Sequence, residues 1–224
     1  MAPRLCRLVG GLLLILLVLP AAPAAAYAGT LDVSVVDPDG APVADVAVYV
    51  IQEGVRESSR KPPGRAVMDQ RDKQFVPHIL VVQKGTAVDF PNSDAVAHHV
   101  YSFSKPNDFV LPLYKGDPND PVTFRYDGIV TLGCNIHDQM LGYIVVVDTD
   151  VFGKTDGDGT LELDVDDAAT GYAVTIWSPR IRDADELLTR TLPHGADMPV
   201  TFRLEKRLRP PFDPGTDSVQ WSEY

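Results

Sequence analysis

Three side chains that bind soft metal ions fall within one seven-residue stretch of this chain. Cys134, His137 and Met140 offer a thiol, an imidazole and a thioether at intervals of three residues, and His98 and His99 offer further imidazoles upstream. One cysteine, two histidines and a weakly bound methionine form the ligand set of a copper centre that transfers single electrons. Each residue alone has an ordinary structural explanation, since a lone cysteine is often a small buried hydrophobe. Together they predict a metal site.

Short β-strand patterns must hold these side chains in place. One run, residues 128–133, leads into the cysteine, and another, residues 141–147, follows the methionine. A third pattern, residues 90–104, places the upstream histidines at the end of a strand. Because neighbouring side chains of a strand point to opposite faces, only one of His98 and His99 can face a metal ion.

The first 26 residues (1–26) predict a secretory signal peptide that is removed from the mature protein. Arg4 and Arg7 form a basic start, residues 10–19 are apolar, and Ala24-Ala25-Ala26 offers a cleavage site of small residues. A membrane anchor is the alternative, but the apolar run is short for a spanning helix. We therefore expect a periplasmic or otherwise exported protein with no membrane span after cleavage.

Export would leave Cys134 as the only thiol of the mature chain. The chain has two cysteines, and the other one, Cys6, lies in the predicted signal. An intramolecular disulfide is then excluded. Metal ligation is the favoured role for an unpaired thiol in an exported protein, and an intermolecular disulfide is the alternative.

Acidic residues dominate the charge of the chain, with 31 Asp and Glu against 20 Lys and Arg. The predicted signal contains Arg4 and Arg7 and no acidic residue, so 18 basic and 31 acidic residues remain after cleavage, a net charge of −13. This charge argues against binding to nucleic acid or to anionic membrane surfaces. It is compatible with a basic protein partner, but simple solubility is the favoured explanation.

Helical periodicity is scarce, whereas short alternating or β-branched runs recur along the whole chain. Turn signals such as Asp127-Gly128 and Asp158-Gly159 separate these runs. The pattern predicts an all-β sandwich. Residues 181–192 are the exception, and we expect a short helix or a loop there.

The central region resembles the cupredoxin superfamily of copper-binding β-sandwiches. The stretch KGTAVDFPNSDAVAHHV (84–100) is similar to the family's strand with an Asn ahead of a ligand His, and GIVTLGCNIHDQMLGYIVVVD (128–148) is similar to its closing hairpin. The resemblance covers about residues 73–148 and is close to the plastocyanin and amicyanin type, with the compact Cys-to-Met spacing of amicyanin. The same motifs resemble those of cupredoxin-like methylamine utilisation proteins. The resemblance to the cupredoxin superfamily implies a cupredoxin-like Greek-key β-sandwich.

The resemblance implies one type 1 copper ion as cofactor. Its equatorial ligands would be His98, Cys134 and His137, and Met140 would be the axial ligand. Asn92 matches the Asn that precedes the first ligand His. We expect no catalytic residue and no other cofactor.

Three positions depart from the family pattern. His99 stands where plastocyanin and amicyanin have Asn, Gly133 replaces an aromatic residue or His before the cysteine, and Ile136 stands where Pro often precedes the second His. These departures concern the hydrogen bonds around the ligands more than the ligand set. Alignment with the family favours His98 over His99 as the ligand.

The chain is expected to hold two sandwich units. All candidate ligands fall in the cupredoxin-like unit, residues 66–148, which would be inserted into a smaller sandwich formed by residues 27–65 and 149–208. The stretch 37–50 resembles the opening of carboxypeptidase-regulatory-like sandwiches. One extended sandwich is the alternative to insertion. The proline-rich tail, 209–224, is expected to be irregular.

The function that follows from the resemblance is that of an exported blue-copper protein, which is not an enzyme. It would carry single electrons between redox proteins such as a c-type cytochrome or a periplasmic dehydrogenase. A periplasmic protein that binds and delivers copper would use the same ligands and is the alternative. A scaffold or adhesion module with an incidental metal site is a third interpretation, which the complete ligand set disfavours.

Overall fold

The computed structural model describes residues 28–56, 60–117, 120–182, 187–193 and 199–211. These residues form strands, turns and loops, so the predicted all-β class is confirmed. Nothing in this part of the chain forms a helix with the length and apolar character needed to span a membrane. The predicted signal, 1–26, and most of the predicted irregular tail, 209–224, lie outside the described residues.

The described residues contain seventeen strands. In chain order they are β1 (Ala28–Val36), β2 (Ala47–Glu53), β3 (Arg65–Val67), β4 (Asp69–Arg71), β5 (Gln74–Val76), β6 (Ile79–Gln83), β7 (Ala87–Asp89), β8 (His98–Ser102), β9 (Phe109–Tyr114), β10 (Val122–Thr123), β11 (Gly128–Gly133), β12 (Leu141–Val147), β13 (Phe152–Lys154), β14 (Thr160–Asp166), β15 (Gly171–Trp177), β16 (Leu188–Pro193) and β17 (Val200–Arg203).

Two facing sheets form the flanking unit. Their strand orders are β14-β1-β17 and β13-β2-β15-β16. Alternate residues of β1, such as Leu31 and Val33, are buried in one apolar core with Val48 and Val50 of β2. A half-buried strand requires this period of two, because successive side chains leave the backbone on opposite sides.

The prediction of a helix or loop for residues 181–192 is wrong over its second part. Leu188–Pro193 form β16, which pairs antiparallel with β15. Thr189 and Thr191 are β-branched and suit a pleated strand, and Thr189 Oγ1 hydrogen-bonds with Thr175 Oγ1 of β15 at 2.9 Å. Pairing with a neighbouring strand therefore decides the conformation of this segment.

The central unit contains all the predicted ligands. Its large sheet has the order β6-β12-β11-β8-β9, a smaller sheet has the order β10-β7-β3, and β4 and β5 form a separate hairpin. The core of this unit is aromatic and aliphatic, and its fully buried members include Phe75, Phe90, Phe124 and Leu132. Cys134 and Met140 belong to the same core.

Strand β12 is covered on both faces. Ile144 and Val146 point into the core of the central unit, whereas Val145 and Val147 pack in a separate cluster that also contains Trp177 of β15. Burying one such aliphatic side chain contributes about 1.5–3 kcal/mol. The strand that leaves the candidate ligand loop is therefore fixed from both sides.

The flanking sheets and the sheets of the central unit use different segments of the chain. The flanking sheets use strands between residues 28 and 53 and between 152 and 203, and the other sheets use strands between 65 and 147. The domain boundaries drawn from the sequence stay a prediction, and so does the carboxypeptidase-regulatory-like character of the flanking unit.

Candidate metal centre

The loop that carries three predicted ligands closes a β-hairpin. Strands β11 and β12 are antiparallel, and their last pair is Gly133 with Leu141. Residues 134–140 therefore start and end on neighbouring strands, and the Met140 N–H donates to the His137 carbonyl oxygen at 2.9 Å. The loop turns back on itself and keeps its side chains near the end of the sheet.

The fourth predicted ligand comes from the adjacent strand. Strand β8 pairs with β11 where Tyr101 lies opposite Gly133, directly before Cys134. Along β8, His98, Val100 and Ser102 are buried, whereas the residues between them are partly exposed. His98 therefore faces the interior.

His99 lies on the other face of β8. Its ring contacts Tyr101, with 5.9 Å between the ring centroids, and its Nδ1 has no hydrogen-bond partner among the residues that the structure describes. The strand thus presents its two histidines to opposite sides, as the alternation of side chains requires.

His98, Cys134 and His137 place three donor atoms within a few ångströms of one another. The Cys134 Sγ lies 3.8 Å from His98 Nδ1 and 3.7 Å from His137 Nδ1. The two Nδ1 atoms are 3.1 Å apart. His98 is 0% exposed and Cys134 is 3% exposed, while His137 is partly exposed. The cluster is buried on all sides except at His137.

These separations fit a shared metal ion. Bonds of about 2.0–2.1 Å to imidazole nitrogen and about 2.3 Å to thiolate sulfur, at angles of about 100–120°, place the donor atoms about 3.1–3.8 Å apart. The three observed separations fall in that range. One thiolate with two imidazoles is a soft donor set that suits copper.

Met140 is buried next to this cluster. It is 1% exposed and lies in the same apolar core as Cys134. Burial among apolar side chains is expected both of a weak axial ligand and of an ordinary core methionine. Its role as a ligand stays a prediction.

The electrostatic surroundings favour a neutral imidazole at His137. Burial lowers the pKa of His137, and the nearby His98 and Lys73 lower it further, against the opposing effect of Asp94. A neutral imidazole has one nitrogen free to accept a metal ion. The side chain is therefore ready to bind a cation near neutral pH.

Asn92 holds the loop that precedes β8. Its Nδ2 donates to the carbonyl oxygens of Val96 at 2.9 Å and of Tyr114 at 3.0 Å. Its Oδ1 accepts the N–H of Asp94 at 3.0 Å. The residue that the sequence matched to the Asn before the ligand His thus fixes the backbone on either side of residue 94.

A half-buried tyrosine, Tyr114, holds the same loop through a hydrogen bond. The Tyr114 hydroxyl donates to the Phe90 carbonyl oxygen at 2.6 Å and accepts a hydrogen bond from the side chain of Gln70. Burial raises the pKa of Tyr114 to about 12. The phenol therefore stays protonated at physiological pH and keeps donating to the loop.

Asp94 contacts a predicted ligand but was not predicted from the sequence. Its Oδ2 lies 2.6 Å from His98 Nε2, on the side of the ring away from Cys134. Burial acts to raise the pKa of Asp94, but hydrogen bonds from the Lys73 N–H, the His98 side chain and the Asp72 N–H outweigh it, so the net shift is downward. In the local sequence, only its position four residues before His98 pointed to a contact between the two side chains.

Two large hydrophobic side chains that are near the predicted ligands in sequence are exposed. Ile136, which is 54% exposed, and Val96, which is 44% exposed, are large hydrophobic side chains in the two loops that supply the ligands. Among the departures from the family pattern, Ile136 is therefore a surface residue, whereas Gly133 is buried.

Several solved copper proteins are similar to this chain. A Cu-containing nitrite reductase from Thermus scotoductus SA-01 shares 24% identity over 43% of this chain, with a TM-score of 0.36, and the chain spans 25% of that enzyme's length. A purple cupredoxin from Nitrosopumilus maritimus shares 19% identity over 38% of this chain and 99% of its own, with a TM-score of 0.32.

An amicyanin variant in its reduced Cu(I) form shares 22% identity over 45% of this chain and 98% of its own, with a TM-score of 0.34. These proteins are of the group that the sequence motifs resemble, and the likeness concerns the fold alone. No protein-family model matches the chain. No curated protein matches it either.

Replacement of the two neighbouring histidines is expected to have opposite effects on copper binding. His98→Ala removes a buried donor, so Cu(II) affinity is expected to fall by more than the about 10–100-fold that loss of an outer hydrogen-bond partner costs. His99→Ala is expected to leave the affinity within about threefold, because His99 faces away. Competition titration with a chromophoric chelator measures both. Greater loss from His99→Ala than from His98→Ala would mean that the other face of β8 binds the metal.

Proposed function

We propose that this chain binds one copper ion and carries single electrons. The ligands are His98, Cys134 and His137, and Met140 is the weak fourth ligand. The observation that supports this most strongly is the buried thiol with two imidazole Nδ1 atoms 3.7 and 3.8 Å away. A copper ion bound there would supply a one-electron couple between Cu(II) and Cu(I).

The protein's contribution is to keep the donor atoms in one arrangement for both oxidation states. His98 is held by β8 and Cys134 follows β11, so two paired strands set their separation. Close packing resists displacement of buried side chains. Met140 and Leu132 belong to the apolar core around the sulfur and exclude water from it. Little rearrangement is then needed when an electron arrives or leaves.

The partly exposed His137 is the proposed route for the electron. The other two donors are 0% and 3% exposed, which leaves this ring as the donor nearest the surface. The apolar Ile136 beside it offers a surface that a partner can approach closely. A carrier needs no substrate cavity at this point, and the absence of enzymatic activity is part of the proposal.

Copper delivery is a weaker candidate because of the same burial. Transfer of the ion to an acceptor protein requires incoming ligands to replace the outgoing ones. Cys134 and His98 lie within a packed core and are not accessible to such ligands. The geometry is better suited to retaining the metal than to releasing it.

Export and the redox partner remain part of the proposal. The leader-like sequence lies outside the described residues, and cleavage would give the net charge of −13. A basic redox protein, such as a c-type cytochrome, or a periplasmic dehydrogenase with a basic docking face is the kind of partner that this charge favours.

The visible spectrum of the mature protein with Cu(II) tests the copper proposal. We expect intense thiolate-to-copper charge-transfer absorption, one copper per chain and a reversible one-electron wave. Cys134→Ala is expected to abolish the band, because Cys134 is the only mature thiol. Ser102→Ala, at a buried position further along β8, is the control and is expected to keep it. A colourless copper complex of the wild type would contradict the proposal.

The axial ligand is tested by its effect on the potential. Met140→Leu keeps the size and apolar character of the side chain but removes the sulfur. Because a thioether donor stabilises Cu(II) somewhat, the potential is expected to rise while copper stays bound. Protein-film voltammetry of the two proteins measures the difference. Identical potentials would assign Met140 to core packing.

The partner proposal predicts a dependence on salt. Electron transfer to a basic cytochrome is expected to slow as salt rises, because the screening length falls from about 10 Å at 0.1 M to about 3 Å at 1 M. Ile136→Lys and Leu187→Lys add the same charge at exposed apolar positions of the two units. If docking occurs at His137, only Ile136→Lys is expected to change the rate strongly. A transfer rate that does not change with salt would reject charge steering. Equal effects of the two variants on the rate would reject docking at His137.

A further inference from the structure

A carboxylate stands directly behind one of the proposed ligands. The Asp94 Oδ2 lies 2.6 Å from His98 Nε2, while His98 Nδ1 faces the Cys134 sulfur. The side chain of Asp94 is 12% exposed and that of His98 is 0% exposed. The pair is therefore shielded from most of the competition with water.

The carboxylate is itself held by the backbone of a hairpin. Its Oδ1 accepts the N–H of Asp72 at 2.6 Å, and its Oδ2 accepts the N–H of Lys73 at 2.9 Å. These are the two turn residues between β4 and β5, and both have positive φ angles, 51° for Asp72 and 57° for Lys73. His98 Nε2 is the third nitrogen within hydrogen-bond distance of this carboxylate.

Two backbone N–H groups, one on each carboxylate oxygen, favour the ionised form of Asp94. An ionised carboxylate has no proton to donate, so the proton of the Asp94–His98 hydrogen bond resides on Nε2 of the imidazole. The lone pair of the neutral ring is then on Nδ1, which is the atom that faces Cys134. The outer hydrogen bond thus favours the tautomer whose free nitrogen faces Cys134 and His137.

We propose that Asp94 is a positioning residue that orients His98 and lowers the reduction potential of the copper centre. The inference rests on the proposed copper function. A carboxylate that accepts the outer N–H of a metal-bound imidazole raises the donor strength of the ring. Stronger donation and a nearby negative charge stabilise Cu(II) more than Cu(I), since the extra positive charge of Cu(II) interacts favourably with both.

Asp69 provides a matched control for the structural part of this role. Its carboxylate is also buried and braces the same region, accepting hydrogen bonds from the N–H of Gln70 at 2.7 Å and the hydroxyl of Ser93 at 2.9 Å. Its hydrogen bonds go to Gln70, Arg71 and Ser93, and none of these residues is a proposed ligand. Loss of charge at Asp69 therefore perturbs the hairpin without altering a ligand.

The test compares Asp94→Asn with Asp69→Asn in the mature protein. Asp94→Asn is expected to retain the charge-transfer band, to weaken Cu(II) binding by about 10–100-fold, and to weaken Cu(I) binding much less. Each tenfold increase in the ratio of the Cu(II) to the Cu(I) dissociation constant raises the potential by about 59 mV for one electron. Asp69→Asn is expected to lower the unfolding temperature and leave the potential at the wild-type value. Equal potentials for the two variants would overturn the inference.

Nitrogen-15 spectra of the wild type provide a test that needs no variant. In the protein loaded with diamagnetic Cu(I), His98 is expected to show a protonated Nε2 whose hydrogen exchanges slowly with solvent. A His98 ring protonated on Nδ1, or a rapidly exchanging Nε2–H, would overturn the inference even if Asp94→Asn fails to fold. Failure of the wild type to bind copper would instead reject the proposed function, so the two failures are distinguishable.

Discussion

The pairing of Gly133 with Leu141 decides where the donor atoms of this site can lie. Paired residues of antiparallel strands have Cα atoms about 4.5–5.5 Å apart, so residues 134–140 must leave and re-enter the sheet at nearly one point. The Cys134 side chain is consequently confined to the end of the sheet. His98 reaches the same point because β8 pairs with β11 beside Gly133. Strand pairing therefore brings the donor-bearing residues to one end of the sheet.

The flanking unit adds rigidity to this arrangement. Trp177 of β15 contacts Tyr143 of β12 edge to face, with ring centroids 5.3 Å apart, and Val145 and Val147 lie in the same cluster. Strand β12 would expose these side chains to solvent if the flanking sheets were absent. Their burial ties the strand that leaves the candidate ligand loop to the flanking sheets. We therefore assign the flanking unit a bracing role at the least.

Local sequence was sufficient to find the hairpin loop but not its surroundings. The spacing of Cys134, His137 and Met140 and the runs on either side are contiguous, so their juxtaposition needs no long-range information. The alternation of side chains separates His98 from His99 for the same reason. Strands β4 and β5 have three residues each, which is too short for a period of two to be recognised. Their turn also lacks the Asn-Gly or Asp-Gly signal usual at positive φ, because Asp72 and Lys73 occupy it.

Asp94 illustrates what a sequence pattern does not contain. Its orientation depends on the N–H groups of Asp72 and Lys73, which belong to a hairpin that precedes it in the chain and was not predicted. Unless that hairpin is known, an Asp in a loop is expected to be solvated. Its contact with His98 follows only when both the hairpin and β8 are in place.

The charge count explains why such a carboxylate matters in a buried site. In the proposed centre, Cu(II) with one thiolate would carry one net positive charge, which the largely buried carboxylate of Asp94 would neutralise. Reduction to Cu(I) would leave the same group with a net negative charge in surroundings that solvate it poorly, and burying an uncompensated charge is costly. The hydrogen bonds from Asp72 and Lys73 stabilise that negative charge and so limit the cost. If the proposed function holds, the hairpin turn would thereby help to set how readily the centre accepts an electron.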